Sequence, residues 1–135
     1  MTTIEDIYND VGRAMKGVCD KIYAKNRPSA VEERIGSYIV IGLPSGIYNM
    51  EIGQDGKYND FSTTVQIEVY VRNKVSSKSP NGFDVAKTSE KVGAVLNRFP
   101  ILTENIKVSR PMVTMQTDDG AGFDVTIIQG NLRTR

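Results

Sequence analysis

The chain has no histidine and almost no net charge, and each of these shortages removes a class of function. Among its 135 residues, 17 lysines and arginines are set against 16 aspartates and glutamates, which leaves a formal net charge of +1. Dedicated nucleic-acid-binding proteins usually carry a strong basic excess, so this balance argues against that class. Without histidine, the chain can build no His-based triad, histidine acid–base pair or His-rich metal site.

Cysteine and long apolar runs are also scarce. The single Cys19 cannot form an internal disulfide. We expect it to lie on the buried face of a helix as a small hydrophobe, with a reactive or metal-binding thiol as the alternative. No window approaches the 18 apolar residues of a membrane span, and there is no signal-peptide core. We therefore expect a soluble protein, made and used in a cytoplasm.

What the sequence does contain is a long strand pattern. Residues 63–74 read TTVQIEVYVRNK. Valines and an isoleucine at every second position alternate with Gln66, Glu68, Tyr70 and Arg72, so one face of this strand is apolar and the other polar. The apolar face must lie on a core, whereas the polar face could be solvated or could meet a partner. Tyrosine and arginine are enriched at protein interfaces, which favours a partner.

Hydrophobic spacing and turn residues predict one α+β domain over residues 1–135. Both helices have start signals: Thr3 with Asp6 has the form of a capping box, and Asp84 is a plausible N-cap. A proline at 111 predicts a bulge in the last hairpin. The expected architecture is an antiparallel sheet of four to five strands with two helices packed on one face. The predicted elements are a helix over about 3–25, strands over about 37–42, 47–52 and 61–73, a helix over about 84–98, a hairpin over about 106–128, and a polar tail over 130–135 with no reason of its own to be ordered.

Two acidic loops could bind a cation, but each has a simpler interpretation. Asp118 and Asp119 precede two glycines, which is normal composition for a hairpin turn; a cation site is the alternative. The loop over 55–60 resembles a calcium loop only faintly, because it lacks the regular oxygen spacing and the closing glutamate. We therefore expect no metal ion and no cofactor.

Charges of opposite sign are segregated along the chain. Between residues 72 and 98 six basic residues face two acidic ones, and between residues 51 and 68 four acidic residues face one lysine. Unlike patches on a small domain can form a head-to-tail contact between copies, which closes into a ring if the rotation permits. Two solvated surfaces are the alternative. The basic residues are Arg72, Lys74, Lys78, Lys87, Lys91 and Arg98; the acidic ones are Glu51, Asp55, Asp60 and Glu68.

The order of these elements resembles a known family. An N-terminal helix precedes a short apolar strand, the long strand TTVQIEVYVRN, a helix like FDVAKTSEKVGAVLNRF and a hairpin ending in FDVTIIQ. This arrangement resembles the small α+β proteins of tailed bacteriophages and prophages that terminate or complete the tail tube, and the related head–tail joining and minor tail-component proteins. The resemblance covers nearly the whole chain and rests on element order, length and strand character. Because the family has no short diagnostic motif, no functional residue is transferred from it.

The resemblance implies a structural virion protein rather than an enzyme. It implies a homo-oligomeric ring, typically hexameric, that contacts tail-tube or neck proteins and passes DNA only through its lumen. It implies no membrane and no small-molecule substrate, and assembly in the bacterial host cytoplasm. A small α+β ligand- or protein-binding module is the alternative, and an enzyme working without histidine is a third. From the residues themselves we predict a subunit or partner interface that includes Gln66, Glu68, Tyr70, Arg72, Asp55, Asp60, Lys74 and Lys78.

Overall fold

The computed structural model describes residues 2–52 and 54–135, which form an α+β fold with two helices and one mixed sheet. The α+β class predicted from the sequence is therefore confirmed. In chain order the elements are α1 (Ile4–Ala14), β1 (Lys21–Ala24), β2 (Ser37–Gly42), β3 (Tyr48–Ile52), β4 (Tyr58–Arg72), α2 (Val85–Leu96), β5 (Ile101–Leu102), β6 (Ile106–Asp118) and β7 (Phe123–Thr134).

The sheet has seven strands, so the predicted count of four to five is wrong, as is the purely antiparallel arrangement. The strands lie in the order β1-β2-β4-β7-β6-β5, and β3 pairs with β4 off this path. β1 runs parallel to β2, and the other described pairs are antiparallel. The two strands absent from the prediction, β1 and β5, have four and two residues. Such short segments cannot display a period of two.

The N-terminal helix is shorter than its apolar stripe suggests. α1 begins as predicted, with Thr3 as N-cap in a capping box. It ends at Ala14 rather than near residue 25, and Gly17 follows with a φ of 87°. This left-handed conformation, which glycine adopts at little cost, commonly ends a helix. The apolar spacing continues through Val18 and Ile22, but these side chains reach the core from a turn and from β1.

Cys19 consequently lies outside any helix, which corrects the sequence prediction of its place. Its side chain is half-buried against the main core, and it forms no disulfide. Burial raises the pKa of the Cys19 thiol above its ordinary value. A thiol with a raised pKa stays protonated and is a poor nucleophile, so the packing role predicted for Cys19 is favoured over the reactive one.

Both helices pack on the same face of the sheet, as predicted. Ile7 and Val11 of α1 and Val95 of α2 belong to one buried cluster with the sheet residues on that face. β4 contributes its odd-numbered apolar residues to the cluster. In the central pairings, Ile67 lies opposite Ile41 on one side and opposite Ile128 on the other. We call this side of the sheet the helix face and its opposite the second face.

The C-terminal residues are ordered, contrary to the prediction for 130–135. β7 continues to Thr134, pairing with β4 on one side and β6 on the other. Leu132 and Thr134 are buried on the helix face, while Asn131 and Arg133 are exposed. This alternation is a period-two pattern in which glycine, leucine and threonine form the inner row. The polar composition concealed it because only one of the inner residues is a large hydrophobe.

The predicted bulge in the last hairpin is confirmed. The pairing of β6 with β7 shifts register between Ser109 and Met112, and Arg110 has a φ of 55°. A second shift follows between Val113 and Met115. The first shift places odd-numbered Val113 on the same face as even-numbered Ile106 and Val108, because an extra residue on one strand moves later side chains to the other face.

Candidate interaction surfaces

The second face of β4 was the strongest candidate for a partner surface, and the chain itself covers half of it. The segment 26–36 crosses the C-terminal half of this face. Beneath the segment lies a separate buried cluster that includes Tyr38, Tyr70 and Phe123. The buried cluster formed by the described residues does not extend to the other half of the face, around Gln66. The interface prediction therefore divides into a buried part and an accessible part.

Tyr70 belongs to the buried part. Its ring is 6% exposed and stacks on Tyr38, with the ring centroids 4.4 Å apart and the planes 8° apart. Its hydroxyl donates a hydrogen bond to a Glu68 carboxylate oxygen at 2.9 Å. Burial raises the pKa of the Tyr70 hydroxyl, and the bond to Glu68 raises it further. The partner that the sequence led us to expect for Tyr70 is thus Tyr38 of the same chain.

Arg72 is engaged in the same way. Its Nε donates to the carbonyl oxygen of Ile35 and its Nη2 to that of Glu32, each at 3.0 Å. Its guanidinium carbon lies 4.6 Å from the centre of the Phe123 ring, within the range of a cation–π contact. Arg72 therefore ties the covering segment to β4, so its interface-type chemistry is used inside the chain.

The accessible half of the second face is polar. Gln66 and Glu68 are half-buried, and Gln129 on β7 donates a hydrogen bond to Gln66 at 2.9 Å. Asn131 and Arg133, further along β7, are exposed. Amide and hydroxyl side chains that bond to one another suit either water or a polar partner, so the interface role of Gln66 and Glu68 stays a prediction.

The remaining predicted interface residues lie at opposite ends of β4. Asp55 and Asp60 lie near its N-terminal end, and Lys74 and Lys78 follow its C-terminal end. A strand of 15 residues spans about 45 Å at roughly 3.3 Å per residue. The structure therefore separates the acidic and basic groups along the longest strand rather than joining them. The side chain of Glu51 lies outside the described residues.

Sequence reasoning did not find the apolar groove at the lysine end of β4. Two adjoining hollows of about 460 and 280 Å³ meet at Phe83 and Val85. Val85 on α2 is 56% exposed and Val113 on β6 is 48% exposed. The Thr88 hydroxyl is buried in this groove without a hydrogen-bond partner among the described residues. Lys74 and Lys78 line the first hollow; the residues lining the second are Phe83, Val85, Thr88, Ser89, Val92, Val113, Gln116 and Thr126.

Another hollow lies beside α1, and the buried carboxylate of Asp10 lines it. Asp10 accepts hydrogen bonds from the Thr103 hydroxyl at 2.6 Å, from Arg13 at 2.7 Å and from the Asn105 amide at 3.2 Å. With these partners its carboxylate fastens the loop after β5 to the helix. The hollow beside it has a volume of about 500 Å³. We assign Asp10 a structural role.

The acidic turn of the last hairpin is structural, as the sequence favours. One oxygen of Asp119 accepts hydrogen bonds from the backbone N–H groups of Ala121 and Phe123, and the other pairs with Arg27 at 3.2 Å. Asp118 accepts a bond from the N–H of Gly120. These carboxylates are therefore occupied in shaping the turn. Within residues 2–52 and 54–135, no group of three potential metal ligands comes together.

A small cavity lies between the covering segment and this turn. It has a volume of about 120 Å³, and the side chains of Arg27, Tyr38 and Arg72 line it with Phe123. The Tyr38 hydroxyl is fully buried and has no well-formed hydrogen bond within the described part of the chain. Burial and the nearby Asp119 carboxylate raise the pKa of Tyr38 to about 12, and the Arg27 guanidinium offsets part of that effect.

Comparison with known proteins adds no assignment to these surfaces. No protein-family model matches the chain, and no curated protein is detectably similar to it in sequence. Neither described helix is long and apolar enough to cross a membrane.

Proposed function

We propose that the chain is a structural protein of a phage or prophage virion, a tail terminator or a tail-completion or neck component. It acts by assembling into a ring at the tail end or at the head–tail joint, and it contacts tail-tube or neck proteins. The resemblance in element order suggests this role. The observation that supports it on the molecule is the placement of two unlike surfaces at opposite ends of β4.

The basic end has the features of a receptor for a second copy. Its groove combines exposed apolar side chains with Lys74 and Lys78, both exposed, at the rim. The acidic end carries an exposed apolar side chain of its own: Ile52 is 59% exposed and precedes the turn that contains Asp55. Apolar contact surrounded by opposite charges favours association and fixes its orientation.

The geometry of this contact is head-to-tail. Because the two surfaces lie about 45 Å apart on one strand and differ in chemistry, a copy bound through one surface leaves its other surface open. Such a heterologous contact repeats until it closes, and it gives a ring where the rotation between copies permits. A ring assembled in this way requires no catalytic group.

The mass of the purified protein in solution tests the proposal. We expect light scattering after gel filtration to give a ring-sized species, near six chain masses for a hexamer. Raising the salt concentration should weaken it, because exposed charges are screened beyond about 10 Å at 0.1 M salt. Lys78→Glu should reduce assembly, and Asp55→Lys in the same chain should restore it, since the pair then carries exchanged charges. Circular dichroism of each variant reports whether its fold is kept.

Lys16→Glu is the matched control, because this exposed lysine in the turn after α1 lies outside both surfaces. It should leave the mass unchanged. If the original chain, Lys78→Glu and the exchanged pair were all monomeric at every salt concentration, the isolated protein would not self-assemble. The proposal would then require assembly on isolated tail tubes, measured by co-sedimentation, and failure there would overturn it.

A small α+β ligand- or protein-binding module is the second candidate function. The observation that favours it is the cavity at Tyr38, where the tyrosine hydroxyl and two arginines lie beside the buried aromatic cluster. A stable monomer that binds a small ligand in this cavity would support this candidate.

A further inference from the structure

The cavity between the covering segment and the hairpin turn contains two polar groups without partners of the appropriate kind. The first is the Tyr38 hydroxyl. Tyr38 is buried completely, and its hydroxyl has no well-formed hydrogen bond within residues 2–52 and 54–135, although the Arg27 guanidinium lies beside it. Leaving a buried hydroxyl unsatisfied costs roughly 1–3 kcal/mol, so native proteins usually supply it with a partner.

The second group is the Arg72 guanidinium. It is half-buried and bonded to two carbonyl oxygens, but no described carboxylate oxygen lies within ion-pair distance of it. A carbonyl oxygen satisfies an N–H group without neutralising its positive charge. A cation withdrawn from water without a counter-ion is destabilising, and an anion placed beside it would be held strongly.

The charges of Arg27, Arg72 and Asp119 around the cavity sum to one positive charge. Arg27 and Arg72 contribute two positive charges, and Asp119 contributes one negative charge that is paired with Arg27. Asp119 is also bonded to two backbone N–H groups of its own turn. Its charge still acts on the Tyr38 hydroxyl, but it is paired with Arg27, whereas no described carboxylate is paired with Arg72.

The size of the cavity limits what it can hold. A volume of about 120 Å³ corresponds to roughly four water molecules at about 30 Å³ each. A nucleotide is too large for that space, whereas a phosphate ion or a single carboxylate group fits. Tyr38 and the two arginines would supply donors to such a group, and the ring of Phe123 forms part of the wall.

We propose that this cavity binds a small oxyanion of phosphate or carboxylate size, with the Tyr38 hydroxyl and the Arg27 and Arg72 guanidiniums as its donors. The ligand would bind on the second face under the covering segment, apart from both surfaces assigned to ring assembly. Its bonds would join the segment 26–36 to β2, β4 and the hairpin turn, so binding should stabilise that segment first.

Titration with inorganic phosphate, followed by NMR shifts of the backbone amides, tests this site. Chloride at matched ionic strength serves as the blank, and acetate serves as a second probe that distinguishes a carboxylate from a phosphate. We expect saturable shifts confined to residues 27–31, 38, 72 and 121–123. Bound ligand should also raise the thermal midpoint, because it stabilises only the folded state.

Two variants remove donors without removing the aromatic packing. Tyr38→Phe keeps the stacked ring and deletes the hydroxyl, and Arg27→Gln deletes one charge from a half-exposed side chain. Each should weaken binding about tenfold or more, the usual effect of losing a hydrogen bond to a charged group. Tyr23→Phe is the matched control, because Tyr23 packs edge-on against Tyr38 but does not line the cavity. It should bind like the original chain.

Saturable binding of phosphate or of acetate that requires Tyr38 and Arg27 would support the proposal and identify the type of anion. Shifts that do not saturate, or that match the chloride blank, would show that the cavity holds water only. Equal affinity in Tyr38→Phe and the original chain would overturn the proposal, even if an anion binds elsewhere on the surface.

Discussion

The two faces of the sheet are closed by different means. The helix face is covered by α1 and α2 over a broad row of valines, isoleucines and a leucine. The second face is covered only in part, by the segment 26–36 lying over a few aromatic rings. The helix face is covered through many aliphatic packing contacts. The second face is covered through a few specific contacts, which include the Tyr38–Tyr70 stack and the hydrogen bonds of Arg72. Substitutions on the helix face should therefore lower the free energy of unfolding more than substitutions on the second face.

The largest effect is expected on the helix face. Ile67 is fully buried between neighbouring strands and the helices. Ile67→Ala should lower the free energy of unfolding by about 2–5 kcal/mol, because it removes buried methyl groups and leaves a cavity. Chemical denaturation followed by circular dichroism measures the change. The neighbouring Gln66→Ala, on the accessible half of the second face, should cost less than about 1 kcal/mol. Equal losses in the two variants would contradict the assignment of faces.

A glycine on the helix face provides the next test. A Cβ added to Gly130 would lie 2.9 Å from Cγ1 of Val108 and 3.0 Å from Cε2 of Phe99. Gly130→Ala should therefore destabilise the protein by about 1–3 kcal/mol through overpacking. Gly46→Ala is the control, since nothing lies within 4 Å of its added Cβ. If Gly130→Ala were neutral in thermal unfolding, the C-terminal part of β7 would not pack as described.

These two sites also show how much of the fold the sequence predicts. The row containing Ile67 repeats at every second residue, so the strand and its buried face could be predicted directly. The row containing Gly130 could not be predicted, because a glycine that faces the core adds no apolar side chain to the alternating pattern. The short strand Lys21–Ala24 was missed for a related reason: its apolar residues continued the spacing of the preceding helix.

The candidate sites were less predictable because they join residues that are distant in sequence. Tyr70 and Arg72 were predicted to contact another subunit or partner, but in the structure they contact Tyr38 and the carbonyl of Ile35, more than 30 positions away in the same chain. No local pattern specifies that a loop will cover them. The hairpin turn at Asp118 and Asp119 was predicted correctly, because the backbone hydrogen bonds that shape it are local.

A smaller effect is expected on the second face. Tyr70→Leu removes the stack on Tyr38 but keeps an apolar side chain, and should cost about 1–2 kcal/mol. Hydrogen exchange should also quicken in the segment 26–36, which that cluster supports. Tyr70→Phe keeps the stack and loses only the bond to Glu68, so its cost should be smaller. If both variants lost the same stability, the hydroxyl rather than the stack would hold this face closed.

The smallest effect concerns Asp124, a half-buried residue at the start of β7. Burial raises the pKa of its carboxyl above the ordinary value of 3.8, and the nearby Asp118 and Asp119 raise it further. A raised pKa means that folding disfavours the charged form, so ionised Asp124 reduces stability at neutral pH. Asp124→Asn should therefore stabilise the protein by a few tenths of a kcal/mol at pH 7, a small value because the group is partly exposed.

The stability gain of Asp124→Asn should depend on pH. As the pH falls through the pKa of folded Asp124, the original chain takes up a proton in the folded state and recovers the lost stability. Below pH 3.8 the carboxyl is neutral in both the folded and unfolded states, so the advantage of Asp124→Asn should disappear. Urea denaturation of both chains between pH 3 and pH 7 measures it. An advantage that grew towards acid pH would mean that the folded protein stabilises Asp124 as a carboxylate, which would contradict this prediction.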